Sequence, residues 1–201
     1  MTMPRILIAG IGNIFLADDA FGVEVAQRLA QRPQPEGVRV VDFGIRGLDL
    51  TYALMDQCDV AILVDAVPRG EAPGTLYVIE PDMIPAAQAA AGAALPDGAL
   101  PGGVIIDAHN LDPAKVLQLV ANLGGKVQRV LLVGCEPTPF DPELDIEMDM
   151  SPPVRAAVEE AIPLVESLIA RIRGGMCLSP GPAAPCPLLT GDSTERSSAS
   201  C

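Results

Sequence analysis

The sequence predicts an α/β fold: a three-layer αβα sandwich built on a five-stranded, mostly parallel, twisted sheet with one antiparallel edge strand. Three observations predict it. Short aliphatic runs of strand length alternate with stretches of helical periodicity. The first of those runs is continuously aliphatic, as in a strand covered on both faces. Polar residues gather directly after them, where ligands bind in open α/β sheets.

The elements follow in order. Arg5 to Ala9 is an aliphatic run that ends at Gly10 and reads as the first strand. Asp18 and Asp19 then precede Val23, Val25, Ala26, Leu29 and Ala30, an apolar pattern at helical spacing whose acidic start suits the helix dipole. Pro33 and Pro35 stop that helix. Val38 to Val41 is a second strand stopping at Asp42, Gly47 to Met55 a second helix, and Val60 to Val64 a third strand stopping at Asp65. Thr75 to Ile79 follows too closely for a helical crossover, so it is expected as the antiparallel edge strand. Met83 to Gly103, rich in Ala, Gly and Pro, reads as loop. Asp112 caps a helix that has Pro113 in its first turn and runs to about Leu123. Val127 to Val133 is the fifth strand. Glu136 to Asp149 carries only acids among its charged residues and reads as a solvated loop. Ser151-Pro152-Pro153 opens a last helix, Val154 to about Ile172, with a kink expected at Pro163.

Composition narrows the function classes. The chain has 201 residues with 13 Lys+Arg against 26 Asp+Glu, a net charge of −13. A nucleic-acid binder needs a basic face, and anionic lipid repels this balance. No apolar run approaches the roughly 20 residues of a membrane span, and the N-terminus lacks a secretory pattern, so a cytoplasmic protein is expected. Cys58, Cys135, Cys177, Cys186 and Cys201 are an odd set without CxxC spacing and read as free thiols. The single histidine, His109, excludes any site needing two imidazoles of this chain.

Candidate chemistry sits at the strand ends. Gly10-Ile11-Gly12-Asn13 raises a dinucleotide site, but Phe15 stands where the third glycine of that fingerprint belongs, and Asp18 and Asp19 would repel a pyrophosphate. Asp19, Asp65 and His109 offer two carboxylates and an imidazole, a set that suits a borderline divalent metal such as nickel or zinc. Each also has a plain reading: a helix-start acid, a strand-end turn former and a loop polar group. Cys135 beside Glu136 sketches a thiol hydrolase; as a small apolar residue it simply closes the fifth strand.

Several motifs in register resemble one family. Gly10-Ile11-Gly12-Asn13 with Leu16-Ala17-Asp18-Asp19-Ala20-Phe21-Gly22 is similar to the opening signature of the hydrogenase maturation endopeptidases. Asp42-Phe43-Gly44-Ile45-Arg46-Gly47 resembles their second glycine-rich loop, and Leu63-Val64-Asp65-Ala66 their third-strand motif. Pro73-Gly74-Thr75, Asp107-Ala108-His109-Asn110 and Leu132-Val133-Gly134 match further segments. Two positions depart: Asp19 is often Glu in relatives, and Arg46 stands where Thr is common. The resemblance implies removal of a C-terminal peptide from the nickel-loaded precursor of the nickel–iron hydrogenase large subunit. It implies Asp19, Asp65 and His109 as metal-binding positions and Asp19 and Asp65 as the catalytic acids, of aspartic or metal-dependent type. The nickel is presented by the substrate, and no organic cofactor, nucleic acid or membrane is involved; a monomer is expected. A non-catalytic nickel-dependent chaperone and a thiol hydrolase using Cys135 are the alternatives. The resemblance makes residues 1–173 the endopeptidase-like domain and leaves 174–201, rich in Pro, Ser and Gly, as a disordered tail.

Overall fold

A computed structural model describes residues 3–56, 58–81, 113–125, 127–139 and 149–175. His109, the Met83 to Gly103 loop, the Asp112 cap, most of the acidic loop (140–148) and all but two residues of the assigned tail lie outside these.

The strands are β1 (Ile6–Ile11), β2 (Val38–Gly44), β3 (Val60–Ala66), β4 (Leu76–Ile79) and β5 (Arg129–Cys135). They form one sheet in the order β2-β1-β3-β5-β4, parallel throughout except for β4, which pairs antiparallel with β5 at the edge as expected. Successive side chains along β1 point to opposite faces. Ile6 and Ile8 enter one apolar cluster with Phe21, Val25 and Leu29 of α1 (Phe21–Ala30) and with Val158 and Ile162 of the last helix. Leu7, Ala9 and Ile11 enter the other, with Leu50 and Leu54 of α2 (Gly47–Met55) and with Val116 and Val120 of α3 (Pro113–Asn122). The last helix, α4 (Pro152–Arg173), runs unbroken through Pro163. That proline lies on the exposed side, where the Glu159 carbonyl it cannot serve meets water.

The connections locate the site. β1 crosses to β2 through α1 on one face, and β2 returns past β1 to β3 through α2 on the other, so the winding reverses between β1 and β3. A ligand crevice opens at the carboxyl ends of two such strands.

The strands run further than their aliphatic runs. β1 continues through Gly10 to Ile11, β2 through Asp42 to Gly44, β3 through Asp65 to Ala66 and β5 to Cys135. Asp65 is therefore inside the ladder, opposite Gly134, instead of in a turn after it. Apolar runs report burial, whereas parallel pairing uses backbone groups that every residue carries.

Candidate active site

The site is built where the backbones of β1 and α1 touch. Gly22, at the start of α1, lies so close that a Cβ there would stand 2.1 Å from the Val64 carbonyl oxygen and 2.3 Å from that of Ile11. This glycine does the helix-on-strand packing that Phe15 cannot. Gly12 is the second close approach: its φ is +134°, and a Cβ would lie 1.8 Å from the Asp19 carbonyl oxygen. Only glycine combines that conformation with that contact.

The turn between them is stapled by its own backbone. The Asn13 amide donates to Asp19 Oδ2 at 2.7 Å, the Phe15 amide to Asn13 Oδ1 at 3.0 Å, and the Asp19 amide to the Leu16 carbonyl at 2.9 Å. Asn13 thus ties the loop together. Ala17 holds φ of +42°, a left-handed conformation that costs a non-glycine residue about 1 kcal/mol. Asp18 and Asp19 occupy a 3-10 turn (Ala17–Ala20) ahead of α1, not the first turn of the α-helix itself.

The two acids then diverge. Asp18 is buried and serves as a strap: it accepts from the Thr138 amide at 2.8 Å, the Ser151 amide at 2.7 Å and the Ser151 hydroxyl at 2.8 Å. It thereby joins the first loop to the loop after β5 and to the residue preceding α4. Asp19 is half-buried, and it lines the cleft alongside Asp18. Burial pushes its pKa up, and the Asn13 amide offsets part of that rise. Asp65, buried, lines the same cleft from the end of β3. The structure therefore brings Asp19 and Asp65 to one crevice at the switch point; His109 is outside the described residues. Among the described residues, no group of three His, Cys, Asp or Glu side chains gathers to hold a metal.

Two sequence readings need correction here. Glu136 is not a solvated loop acid; it is 4% exposed and lines the cleft. It accepts from the Arg69 amide at 2.8 and 3.0 Å and from the Gly70 amide at 3.0 Å, and the Tyr77 hydroxyl lies 2.6 Å away. Burial alone would raise its pKa, but the Tyr77 hydroxyl and the amides of Gly70, Arg69 and Glu71 outweigh it and hold the carboxyl below its ordinary value. It clamps the segment that leaves β3 just beyond Asp65. Its position immediately after β5 was the available signal, since strand ends are where this fold places function. The thiol reading of Cys135 fails on geometry. Its side chain is fully buried in the core, and burial, with Asp18 and Glu136 adding repulsion, pushes its pKa up to about 12. A thiol so placed is neither ionised nor accessible.

The Glu136 clamp carries a prediction. Glu136→Gln puts a donor where one carboxylate oxygen accepts, so at neutral pH the variant is expected to be less stable than the wild type by about 2 kcal/mol. A carboxylate with a depressed folded-state pKa stabilises fully above its unfolded value and loses that contribution as pH falls through the folded one. Urea unfolding should therefore show the gap closing in acid; a gap unchanged with pH would contradict an ionised clamp.

Arg46, the departure in the second glycine loop, folds back on its own turn. Its Nε donates to the Phe43 carbonyl at 3.1 Å, its guanidinium also reaches the Asp42 carbonyl, and Asp49 lies 3.7 Å away.

The family model described as hydrogenase maturation protease matches residues 23–168. The chain belongs to the hydrogenase maturation protease family. It is similar to the hydrogenase expression/formation protein HoxM of Azotobacter vinelandii, at 36% identity over 163 residues, covering 81% of this chain and 70% of that one. It is 30% identical to the hydrogenase 2 maturation protease of Escherichia coli, covering 84% and 91%. Among solved structures, the hydrogenase maturating endopeptidase HybD from E. coli superposes with a TM-score of 0.62 at 29% identity, covering 83% of this chain and 93% of that one. As a member of the hydrogenase maturation proteases the chain is a peptidase, with the five-stranded mixed sheet seen here. No helix among the described residues is long and apolar enough to cross a membrane.

Proposed function

We propose that this hydrogenase maturation protease removes a C-terminal peptide from the nickel-loaded precursor of a nickel–iron hydrogenase large subunit. In this reading, Asp19 and Asp65 act at the scissile bond. The carrying observation is that Asp19, from the turn that follows β1, and Asp65, from the end of β3, line one cleft at the β1/β3 switch point. Nickel is part of the substrate. Asp19, Asp65 and His109 are the groups of this chain that meet it, and carboxylate and imidazole are donors that nickel accepts. A cation that arrives already held by the precursor needs few further donors, in keeping with the short donor set.

The chemistry asked of the chain is hydrolysis. A water oxygen attacks the scissile carbonyl carbon, a carboxylate of the cleft takes its proton, and that proton passes to the departing amine. Fixed geometry supports this role: the Asn13 amide holds Asp19, and the strand pairing of Asp65 holds the second acid. The enzyme is read as a cytoplasmic monomer that uses no organic cofactor. Nothing observed favours a non-catalytic chaperone.

Intact-mass analysis of purified precursor incubated with the protein tests the proposal. Mass loss confined to nickel-loaded precursor is the expected result. Equal cleavage of nickel-free precursor would remove the nickel-recognition role, and a stable complex without mass loss would remove the peptidase reading of this substrate.

A further inference from the structure

Large apolar side chains are exposed at nine described positions, and six of them fall on the two segments that follow the neighbouring strands β1 and β2: Ile14, Phe15, Leu16, Ile45, Leu48 and Tyr52. The first three form the turn after β1, and the others lie just after β2 and along α2. β1 and β2 are neighbours, and the Gly12 amide donates to the Gly44 carbonyl at 3.2 Å, so the two segments leave the sheet side by side. Leu48 and Tyr52 are one helical turn apart on α2. Phe15 is 64% exposed and Tyr52 59%.

A turn tip of Ile-Phe-Leu inverts the polar composition that surface turns normally carry. The tip cannot fold inward, because the Asn13 and Leu16 hydrogen bonds fix the turn. The same bonds hold Asp19, so the apolar tip and the acid are parts of one rigid unit. Leu16 and Ile45 also line the cleft, which makes the apolar surface continuous with the site. A clustered apolar surface bordering a functional cleft marks an interaction site.

We infer that this surface docks an extended apolar stretch of the precursor polypeptide flanking the scissile bond, and so sets which bond lies against Asp19. The inference rests on the peptidase reading above and names the residues that choose the substrate. A protease substrate reaching Asp19 from this side passes over Leu16 and Ile45. Backbone extension then lets alternate side chains of that segment seat against the turn tip and against α2.

Steady-state cleavage of nickel-loaded precursor tests it. Phe15→Ser, Leu48→Ser and Tyr52→Ser are each expected to raise KM about tenfold with kcat within about twofold, because they remove binding equal in ground and transition states. Val78→Ser and Leu123→Ser, exposed apolar positions elsewhere, serve as controls and should leave both constants unchanged. Tyr52→Ser lies on α2 beyond the β1 turn, so it separates docking from disturbance of that turn. Unchanged KM in Leu48→Ser and Tyr52→Ser, with the wild type cleaving normally, would overturn the inference while leaving the peptidase reading standing. So would a wild-type dimer that the same substitutions dissociate, which would assign the surface to self-association. If the wild type cleaves no precursor, it is the peptidase reading that fails.

Discussion

Asp65→Asn is expected to slow precursor cleavage by about 100-fold or more while leaving the fold intact. Asparagine keeps the shape of aspartate and removes its charge and its basicity, and a positioned acid–base group contributes on the order of 10²–10⁴ in rate. Asp65 is the more exacting of the two acids because it is an element of the β3 ladder, opposite Gly134 on β5. Intact-mass kinetics on nickel-loaded precursor, with circular dichroism and a thermal melt as fold controls, measure the effect. Wild-type turnover by a folded Asp65→Asn protein would remove Asp65 from the site.

Gly22→Ala is expected to be strongly destabilising. The new Cβ would stand 2.1 and 2.3 Å from two carbonyl oxygens, those of Val64 and Ile11, each immediately preceding a residue that lines the cleft. Neither oxygen can yield without breaking strand pairing, so α1 must lift from the sheet. Overpacking commonly costs 1–3 kcal/mol, and contact with rigid backbone puts this case at about 3 kcal/mol or above. In a chain of this size that corresponds to a fall in melting temperature of about 10 °C. Calorimetry measures it. A melting temperature unchanged within error would mean that the helix sits further from the sheet than described.

Much of this architecture was legible in the residues. The aliphatic runs mark part of every strand, most plainly in β1 and β3, which are buried on both faces. The short interval before Thr75 announced the antiparallel edge. What the runs missed were the strand ends: Asp42, Asp65 and Cys135 are paired like their neighbours, but nothing in a polar side chain advertises a backbone hydrogen bond. Glu136 was misplaced for a different reason. Its burial depends on amides of Arg69 and Gly70, 67 and 66 residues away in sequence, and no local pattern carries that information. Asp18 and Asp19 are adjacent and chemically identical and both line the cleft, yet one is strapped to Thr138 and Ser151 and the other is held by the Asn13 amide. A helix-start pattern cannot tell them apart; the positions of Ser151 and Thr138 do. The exposed Ile-Phe-Leu tip is plain in the sequence, but its meaning depends on seeing it border the cleft. The pairing of Asp19 with Asp65 came from motif resemblance, and the two line one cleft.

The Asp18 strap bears on when the enzyme comes into being. Its partner Ser151 lies 133 residues downstream, and the bond closes the first loop against the last helix. During synthesis the sheet strands emerge in order, but the wall of the cleft beside Asp19 stays open until Ser151 has left the ribosome and α4 has docked. The strap and the docking of α4 are thus one event, and the first loop is secured only by a residue far along the chain.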